Sequence, residues 1–574
     1  MEQRYPIYSE ETRCRDCYKC VRECPVKAIR VVNNEAAVIP ENCILCGHCV
    51  TVCPVGAKRV RDDLRRALHL LKRKEQVYVS LAPSFAGEFR DIPYSNLIAA
   101  LRKLGFYGVS ETALGAQMVS ASISESFGTS TTGLQLSSAC PAAVELVTRY
   151  FPHLSDSITP VVSPLLAHCT LLKKTYGQSI GVVFIGPCIA KKMEADKHPD
   201  LLDVVLTFDD LRKWFEQAGI DLSAIGCGEN DTFVPCKAHN GALYPIEGGM
   251  IETIRSRSEL HNRFMTLSGV QNIRKTFDKI DREHVAGNLF IELLACENGC
   301  IHGPKVSECT PIVSRIAVLD YADDRFPEND HSTDDEIAYT YTPLPPQSCF
   351  VSTDELTNAL ESIGKQTPEE ELNCGSCGYG TCRELARALV AKKAEPCMCS
   401  SFMRQLAQKK ANALIKTIPY GVVIVDQNLR IIDSNEKFAS LLGPEITEIS
   451  SVIPGLTNAD IVSILPFHNL FRQVLTTSEE INQHFVHYQD KVIALTIFIV
   501  EKTKIIGAIL RDATVTEYRR EQIVEKAQEV IRNTSVTAQQ IAFLMGKNAA
   551  QSEKILNSLI ESFSPDDTGT SVQE

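Results

Sequence analysis

The feature that most constrains this chain is a cysteine spacing that occurs twice near its start: Cys14, Cys17, Cys20 and Cys24-Pro25, then Cys43, Cys46, Cys49 and Cys53-Pro54. Closely spaced thiolates suit four-iron cubanes, and in this run the fourth cysteine of each block ligates the cluster of the other. The spacing therefore assigns Cys14, Cys17, Cys20 and Cys53 to one four-iron cluster, and Cys43, Cys46, Cys49 and Cys24 to a second. Structural zinc sites use two short cysteine pairs rather than two complete four-cysteine runs. Neighbouring clusters bring no substrate pocket, so residues 1–60 are expected to conduct electrons.

The chain holds 22 cysteines in 574 residues. Disulfide frameworks belong to short secreted chains. Here Met1-Glu2-Gln3-Arg4-Tyr5-Pro6 has no apolar leader, and no run of about 18 apolar residues follows. The cysteines are expected to be reduced metal ligands in a cytoplasmic protein. With 59 basic and 71 acidic residues the formal charge is −12, which gives no electrostatic reason to expect nucleic acid or an anionic membrane as partner. An apolar share of 44% allows sizeable cores, and the length calls for several domains of about 150 residues.

A third cysteine group reads Cys374-Gly-Ser-Cys377-Gly-Tyr-Gly-Thr-Cys382, then an apolar helical stretch through Leu385 and Leu389, then Cys397-Met398-Cys399. Between the groups, three short apolar strands run into cysteine-bearing loops. They are Leu134 to Cys140-Pro141, Gly181 to Cys188 with Lys191 and Glu194, and Leu289 to Cys296 and Cys300. In α/β sheets, loops beyond the carboxyl ends of strands converge on ligands, so four thiolates are expected to meet there. Pro141 suits the first turn of a helix after Cys140.

Several resemblances follow from these motifs. Residues 10–56 resemble a bacterial two-cluster ferredoxin. Residues 76–365 resemble the catalytic domain of [FeFe]-hydrogenases, on the strength of the three strand–loop blocks. Carried over residue by residue, this implies that Cys140, Cys188, Cys296 and Cys300 hold the cubane of an H-cluster, with Cys300 bridging to its two-iron subsite. It implies that Lys191 hydrogen-bonds one cyanide of that subsite and that Ala82-Pro83-Ser84 contacts the other; an ammonium beside an anionic ligand is chemically apt. The sequence around Cys374 resembles a small four-iron module of electron-transfer and corrinoid-associated proteins. Its spacing implies Cys374, Cys377, Cys382 and Cys399 as ligands of a third cluster, with Cys397 the alternative to Cys399.

The departures matter as well. Ala139 occupies the position where active hydrogenases carry a proton-relaying cysteine, and Gly186 and Leu294 replace two methionines that pack against the cluster. The small-subunit segment of the catalytic enzymes has no clear counterpart. Loss of a positioned acid/base costs about 10²–10⁴ in rate, so slow turnover is expected. Of the cysteines left over, Cys169, Cys227, Cys236, Cys309 and Cys349 are expected to pack in cores, and the His168–Cys169 pair is expected to be structural. Tyr321–Ser348, rich in acidic residues and proline, reads as a solvated loop.

In the last third, Ile418–Asn435 reads as a strand, an Asp-Gln-Asn turn and a second strand. Further strands fit His484–Tyr488, Val492–Val500 and Lys504–Arg511. Residues 413–515 resemble a PAS sensor domain with its ligand unspecified; His468, His484 and His487 are read as surface or core histidines in preference to haem ligands. Glu517–Phe563 reads as helix, with Ile523, Val530, Ile541, Leu544, Ile555 and Leu559 at mostly three- and four-residue steps. A dimer seam or packing on the PAS domain fits that face.

The expected fold is thus an α+β multidomain chain. It comprises a two-cluster ferredoxin domain (1–60), an H-cluster domain (76–365), a small four-iron domain (366–405), a PAS domain (413–515), a signalling or dimerisation helix (516–563) and a disordered tail (564–574). The combination resembles the sensory class of [FeFe]-hydrogenases. That implies a low-activity enzyme holding three four-iron clusters and an H-cluster, which splits dihydrogen heterolytically and passes redox state to the PAS domain. The implied partners are dihydrogen and protons, hydrogenase maturation factors, a ferredoxin-like redox partner, a separate kinase or phosphatase effector and a second copy of the chain. The rivals are an ordinary hydrogenase with a regulatory domain and a non-enzymatic iron–sulfur protein without the two-iron subsite.

Overall fold

The computed structural model describes residues 4–129, 133–255, 263–280, 288–307, 310–322, 337–346 and 350–513. The chain divides into two compact units, one of residues 1–14, 18–359 and 371–395, the other of residues 15–17, 360–370 and 396–574.

The first unit begins with the cysteine repeat, and the repeat is visible in the backbone. Strand β1 (Ile7–Ser9) pairs antiparallel with β4 (Lys58–Val60), and β2 (Ile29–Val32) forms a hairpin with β3 (Glu35–Val38). Each cysteine block winds into a short helix, Lys19–Glu23 and His48–Thr51, entered through a left-handed residue, Tyr18 at φ 52° and Gly47 at φ 80°. Glycine is required at the second of these turns, because a Cβ on Gly47 would fall 2.6 Å from the Pro304 side chain.

Two parallel sheets follow. The first has the order β6-β5-β8-β9, built from β5 (Val77–Leu81), β6 (Gly108–Glu111), β8 (Gly181–Gly186) and β9 (Val204–Thr207). The second has the order β10-β11-β7, built from β7 (Gly133–Leu136), β10 (Arg263–Ser268) and β11 (Asn288–Leu294). Every residue of β5, β6, β8 and β9 is buried, as expected of parallel strands covered on both faces. Their apolar side chains form a core with Leu97, Leu165, Phe208 and Trp214.

A buried ionic network ties the ferredoxin segment to these sheets. Lys192 is 0% exposed, and its Nζ donates to Asp63 Oδ2 at 3.0 Å and to the Val205 carbonyl at 2.9 Å. Asp63 also accepts from Arg61 Nε at 3.0 Å, while the Arg61 guanidinium forks onto Asp196 at 2.7 and 3.0 Å. Burial alone would raise the Asp63 carboxyl, but Lys192 and Arg61 outweigh it and hold it below the usual carboxylate range. The sequence loop Tyr321–Ser348 is only partly loop-like. Tyr321 ends the helix Pro311–Ala322, Ile337 is buried, and Ala338 bridges to Val161.

The second unit contains the helix Ser400–Thr417 and an antiparallel sheet of order β13-β12-β16-β15-β14. Its strands are β12 (Gly421–Asp426), β13 (Ile431–Ser434), β14 (Ile481–Tyr488), β15 (Lys491–Glu501) and β16 (Ile505–Asp512). Short helices cover the face formed by Val423, Ile431, Leu495 and Leu510. Asn435 is 3% exposed and organises the entrance: its Oδ1 accepts from Val422 N and Phe438 N at 2.9 Å, and its Nδ2 donates to the Tyr420 carbonyl at 2.7 Å. His484 and His487 are exposed on the edge strand β14, in accord with surface roles. The proposed helix 516–563 and tail 564–574 lie outside the described residues.

The ionic network generates a test. Asp63→Ala takes from the fully buried Lys192 its closest counter-charge, leaving it Asp210 at 3.5 Å while Arg61 keeps Asp196, and a loss of about 3 kcal/mol, the low end for a broken buried pair, is expected. Asp63→Leu combined with Lys192→Met should recover most of it. Anaerobic denaturant unfolding of the full chain measures both, and an Asp63→Ala midpoint equal to wild type would contradict the assignment.

Candidate functional site

Four cysteines converge from the carboxyl ends of strands in two different sheets. β7 leads to Cys140, which caps the helix Pro141–Tyr150 with proline at its first position. β8 runs into Pro187-Cys188, and the helix Lys191–Lys197 begins just beyond. β11 ends at Leu294, with Cys296 and Cys300 in the following loop. All four line one cavity, together with Leu294, Ala295 and Pro304. No disulfide joins any described cysteine.

Among the described residues no group of three His, Cys, Asp or Glu is placed to hold a single metal ion; the four thiols stand round one shared cavity. Burial pushes the Cys188 thiol up to about 11 despite Lys191 beside it, and pushes Cys296 and Cys300 up as well. Cations in the cavity would draw these protons off, so metal binding there is coupled to proton release.

A second cavity shares Cys140, Cys188, Leu294 and Cys300 with the first. Its walls are largely apolar, with Ala82, Pro83, Ala139, Pro164, Phe184 and Pro245, and its polar lining includes Lys191, Ser84 and Thr112. The Lys191 Nζ lies 2.9 Å from Glu194 Oε2. Burial would lower this ammonium, but Glu194 and the sulfur of Cys188 more than compensate and raise it. Ser84 is 1% exposed, and its Oγ is buried with no hydrogen-bond partner among the described residues. Such an orphaned hydroxyl costs about 1–3 kcal/mol, which an acceptor on a bound group would offset. Four sulfurs beside a chamber holding an ammonium and an unsatisfied hydroxyl fit a cubane joined to a second, anionic metal group. Gly186 has no room for the methionine that the resemblance suggests, since a Cβ there would lie 2.6 Å from the Ala82 Cβ.

The ferredoxin segment abuts this site. Leu45 and Cys46 line the four-thiol cavity, and Gly47 packs on Pro304 and Ile189. Backbone amides donate to sulfur at equivalent places in the two blocks, Ala28 N to Cys24 Sγ at 3.3 Å and Ala57 N to Cys53 Sγ at 3.2 Å. Burial raises Cys43 to about 11 and Cys46 to about 12. The loop Cys374–Cys382 rests on the same segment, with Arg22 Nη1 donating to the Ser376 carbonyl at 3.5 Å and Val31 N to the Lys393 carbonyl at 2.9 Å. Cys377 and Cys382 are buried and Cys374 is exposed, while Cys382 opens the helix Cys382–Val390. Cys17, Cys397 and Cys399 belong to the second unit, where Cys399 is buried at the start of the helix Ser400–Thr417 and Cys397 is half-buried.

The remaining cysteines divide. Cys169 is buried as expected, Cys236 is half-buried, and Cys227 is exposed, so core packing does not describe it. Cys309 and Cys349 lie outside the described residues. Sequence reasoning passed over Thr112, whose place on the cavity wall comes from the end of β6, and Glu111 beside it. Glu111 is fully buried, its carboxyl is pushed up to about 7 by burial, and it accepts from the Tyr321 hydroxyl at 2.6 Å.

Residues 75–304 match the family model of the iron only hydrogenase large subunit, C-terminal domain, and residues 6–54 match a 4Fe-4S dicluster domain. Residues 370–412 match an Fe-S cluster family and residues 410–480 a PAS domain. The chain is 25% identical over 367 residues to iron hydrogenase 1 of Clostridium pasteurianum, covering 51% of this chain and 63% of that one. It is 25% identical over 362 residues to the periplasmic [Fe] hydrogenase large subunit of Nitratidesulfovibrio vulgaris, covering 52% and 85%. The alignment thus spans less than two thirds of the Clostridium protein. A solved [FeFe]-hydrogenase of Chlamydomonas reinhardtii is similar at 18% identity, covering 50% of this chain and 100% of that one with a TM-score of 0.38.

If Cys296 holds a cubane with Cys140, Cys188 and Cys300, then Cys296→Ala should lower the iron bound after anaerobic reconstitution by about four atoms per chain. The electron paramagnetic resonance of the ferredoxin-type clusters should persist. Iron content equal to wild type would remove Cys296 from the ligand set.

Proposed function

Given that this chain is a hydrogenase-like iron–sulfur protein carrying a PAS domain, we propose that it senses dihydrogen through slow, reversible turnover at an H-cluster. In this reading Cys140, Cys188, Cys296 and Cys300 hold the cubane, and Cys300 also bridges to the two-iron subsite. The observation that carries the reading is the pair of adjoining cavities, one ringed by four thiols and the next lined by Lys191, Ser84 and the methyl of Ala139. When bound, an H-cluster supplies reversible heterolytic cleavage of dihydrogen and a store for the electrons.

The chain's own residues would then divide the work. Lys191, held by Glu194, offers a fixed positive donor to an anionic ligand, and the unpartnered Ser84 hydroxyl offers a second. The apolar walls exclude water and strengthen both interactions. Ala139 carries no proton, so transfer to and from the site would be slow. Slow turnover suits a detector, which needs its redox state to follow the gas rather than a high flux.

The place of Cys46 on the cavity wall supports the cluster of Cys43, Cys46, Cys49 and Cys24 as the first electron acceptor. The cluster of Cys14, Cys17, Cys20 and Cys53 and the third cluster, of Cys374, Cys377, Cys382 and Cys399 or Cys397, would extend the path. The redox change biases the PAS domain between two arrangements if these interact differently with oxidised and reduced clusters. A separate kinase or phosphatase would read the output, and the PAS domain or the segment 516–563 would pair two chains. Hydrogenase maturation factors and a ferredoxin-like donor are the other partners this reading requires.

Infrared spectra of anaerobically matured protein under argon and then hydrogen test the proposal. Carbonyl and cyanide bands that shift with hydrogen are expected; intact cubanes without such bands would favour a non-enzymatic iron–sulfur protein. Ala139→Cys should raise hydrogen turnover by about 10²–10⁴. No gain, measured by methyl viologen reduction, would sink the account of slow turnover.

A further inference from the structure

A hydrogen-bonded chain of side chains runs from the wall of the second cavity into the core between β5, β6 and a neighbouring helix. Thr112 lines the cavity, and its Oγ1 lies 2.7 Å from Ser80 Oγ. Ser80 Oγ lies 2.8 Å from His168 Nδ1, and His168 Nε2 lies 2.8 Å from Ser110 Oγ. Ser80, Ser110 and His168 are 0% exposed and Thr112 is 4% exposed. The histidine is clamped in place, since a Cβ on Gly115 would fall 2.7 Å from the His168 Cβ. Among the described residues no charged group is hydrogen-bonded to the imidazole, and burial lowers it to about 3, so it is neutral.

A neutral imidazole has one N–H and one bare nitrogen, and that asymmetry propagates along the chain. With the proton on Nδ1, His168 donates to Ser80, Ser80 donates to Thr112, and the Thr112 hydroxyl proton is left to point into the cavity. With the proton on Nε2, every bond reverses, and Thr112 turns a lone pair to the cavity. Resting on the function proposed above, we propose that His168 is a positioning residue. Acting through Ser80, it sets whether Thr112 donates to or accepts from the group bound in the second cavity. Thr112 is then a third hydrogen-bonding group on that wall, beside Lys191 and Ser84 and among apolar neighbours that include Ala139.

The chain makes a specific demand on substitutions. Because His168 acts on the cavity only through the Thr112 hydroxyl, removing the imidazole should have no further consequence there once that hydroxyl is gone. Glutamine at 168 keeps one donor and one acceptor and can bridge the two serines. A histidine that merely fills the core would show neither behaviour.

Anaerobically matured full-length protein carrying Thr112→Val, His168→Leu, both together, or His168→Gln tests this by infrared spectroscopy. Thr112→Val and His168→Leu should each shift the cyanide or carbonyl bands. The double variant should match Thr112→Val, and His168→Gln should keep the bands near wild type. Unmoved bands in Thr112→Val, or additive shifts in the double variant, would overturn the role given to His168. If His168→Leu fails to fold, Thr112→Val and His168→Gln still decide the matter: a shift in the first and wild-type bands in the second are required. Wild-type protein without such bands would overturn the function proposed above, and this inference with it.

Discussion

The ammonium of Lys192 is the fixed point of the first unit. It is sealed from water, held by Asp63 and the Val205 carbonyl, and linked through Asp63 to Arg61 and Asp196. A buried cation is tolerated only with its partners in place, so the network fixes three things together. It locks the end of the ferredoxin segment, which contributes Arg61 and Asp63. It locks β9 through Val205. It also locks the helix Lys191–Lys197, whose first residue lines the second cavity. Adjacent lysines therefore have opposite duties: Lys192 faces the core and Lys191 faces the site.

This arrangement accounts for how a cluster-bearing segment can sit so close to a second metal site. Gly47 lets the chain turn against Pro304 without a side chain in the way, and Cys46 comes to the wall of the four-thiol cavity. The cost is concentrated desolvation. Cys43, Cys46, Cys49, Cys188, Cys296 and Cys300 are all raised by burial. A pocket lined by so many buried sulfurs is stable as thiols or as metal thiolates, and metal loading converts one to the other while binding free energy adds to folding.

Local spacing made much of this legible. The repeated cysteine blocks, the three strand–loop segments and the β-hairpin of the second unit are patterns within short windows, and β12 to β16 lie close to the strands expected from them. The convergence of Cys140, Cys188, Cys296 and Cys300 was inferred from loops at strand ends, and all four line one cavity. What the sequence hid is long-range. β8 and β11 belong to separate sheets, and no spacing shows that. Ser80, Ser110, Thr112 and His168 come from three elements, so their contact exists only after the β5–β6 pairing is formed. His168 looked structural beside Cys169 because its partners are 58 and 88 residues away.

Ala139 lines the second cavity, and under the proposed function its methyl matters because of what surrounds it. Apolar walls raise the strength of each polar group inside and make each missing one harder to replace by water. Lys191 is a permanent donor with a raised proton affinity, so it holds charge and does not readily release a proton. Ser84 supplies a hydroxyl without a further partner to receive its proton. Thr112 is different in kind, because its hydroxyl is continuous with a neutral imidazole whose two nitrogens can exchange roles. Under the proposed function, a methyl at Ala139 beside an adjustable Thr112 hydroxyl would let the site adapt its hydrogen bonding to the charge of a bound group while protons move slowly, a combination that would favour reporting a redox state over turning over substrate.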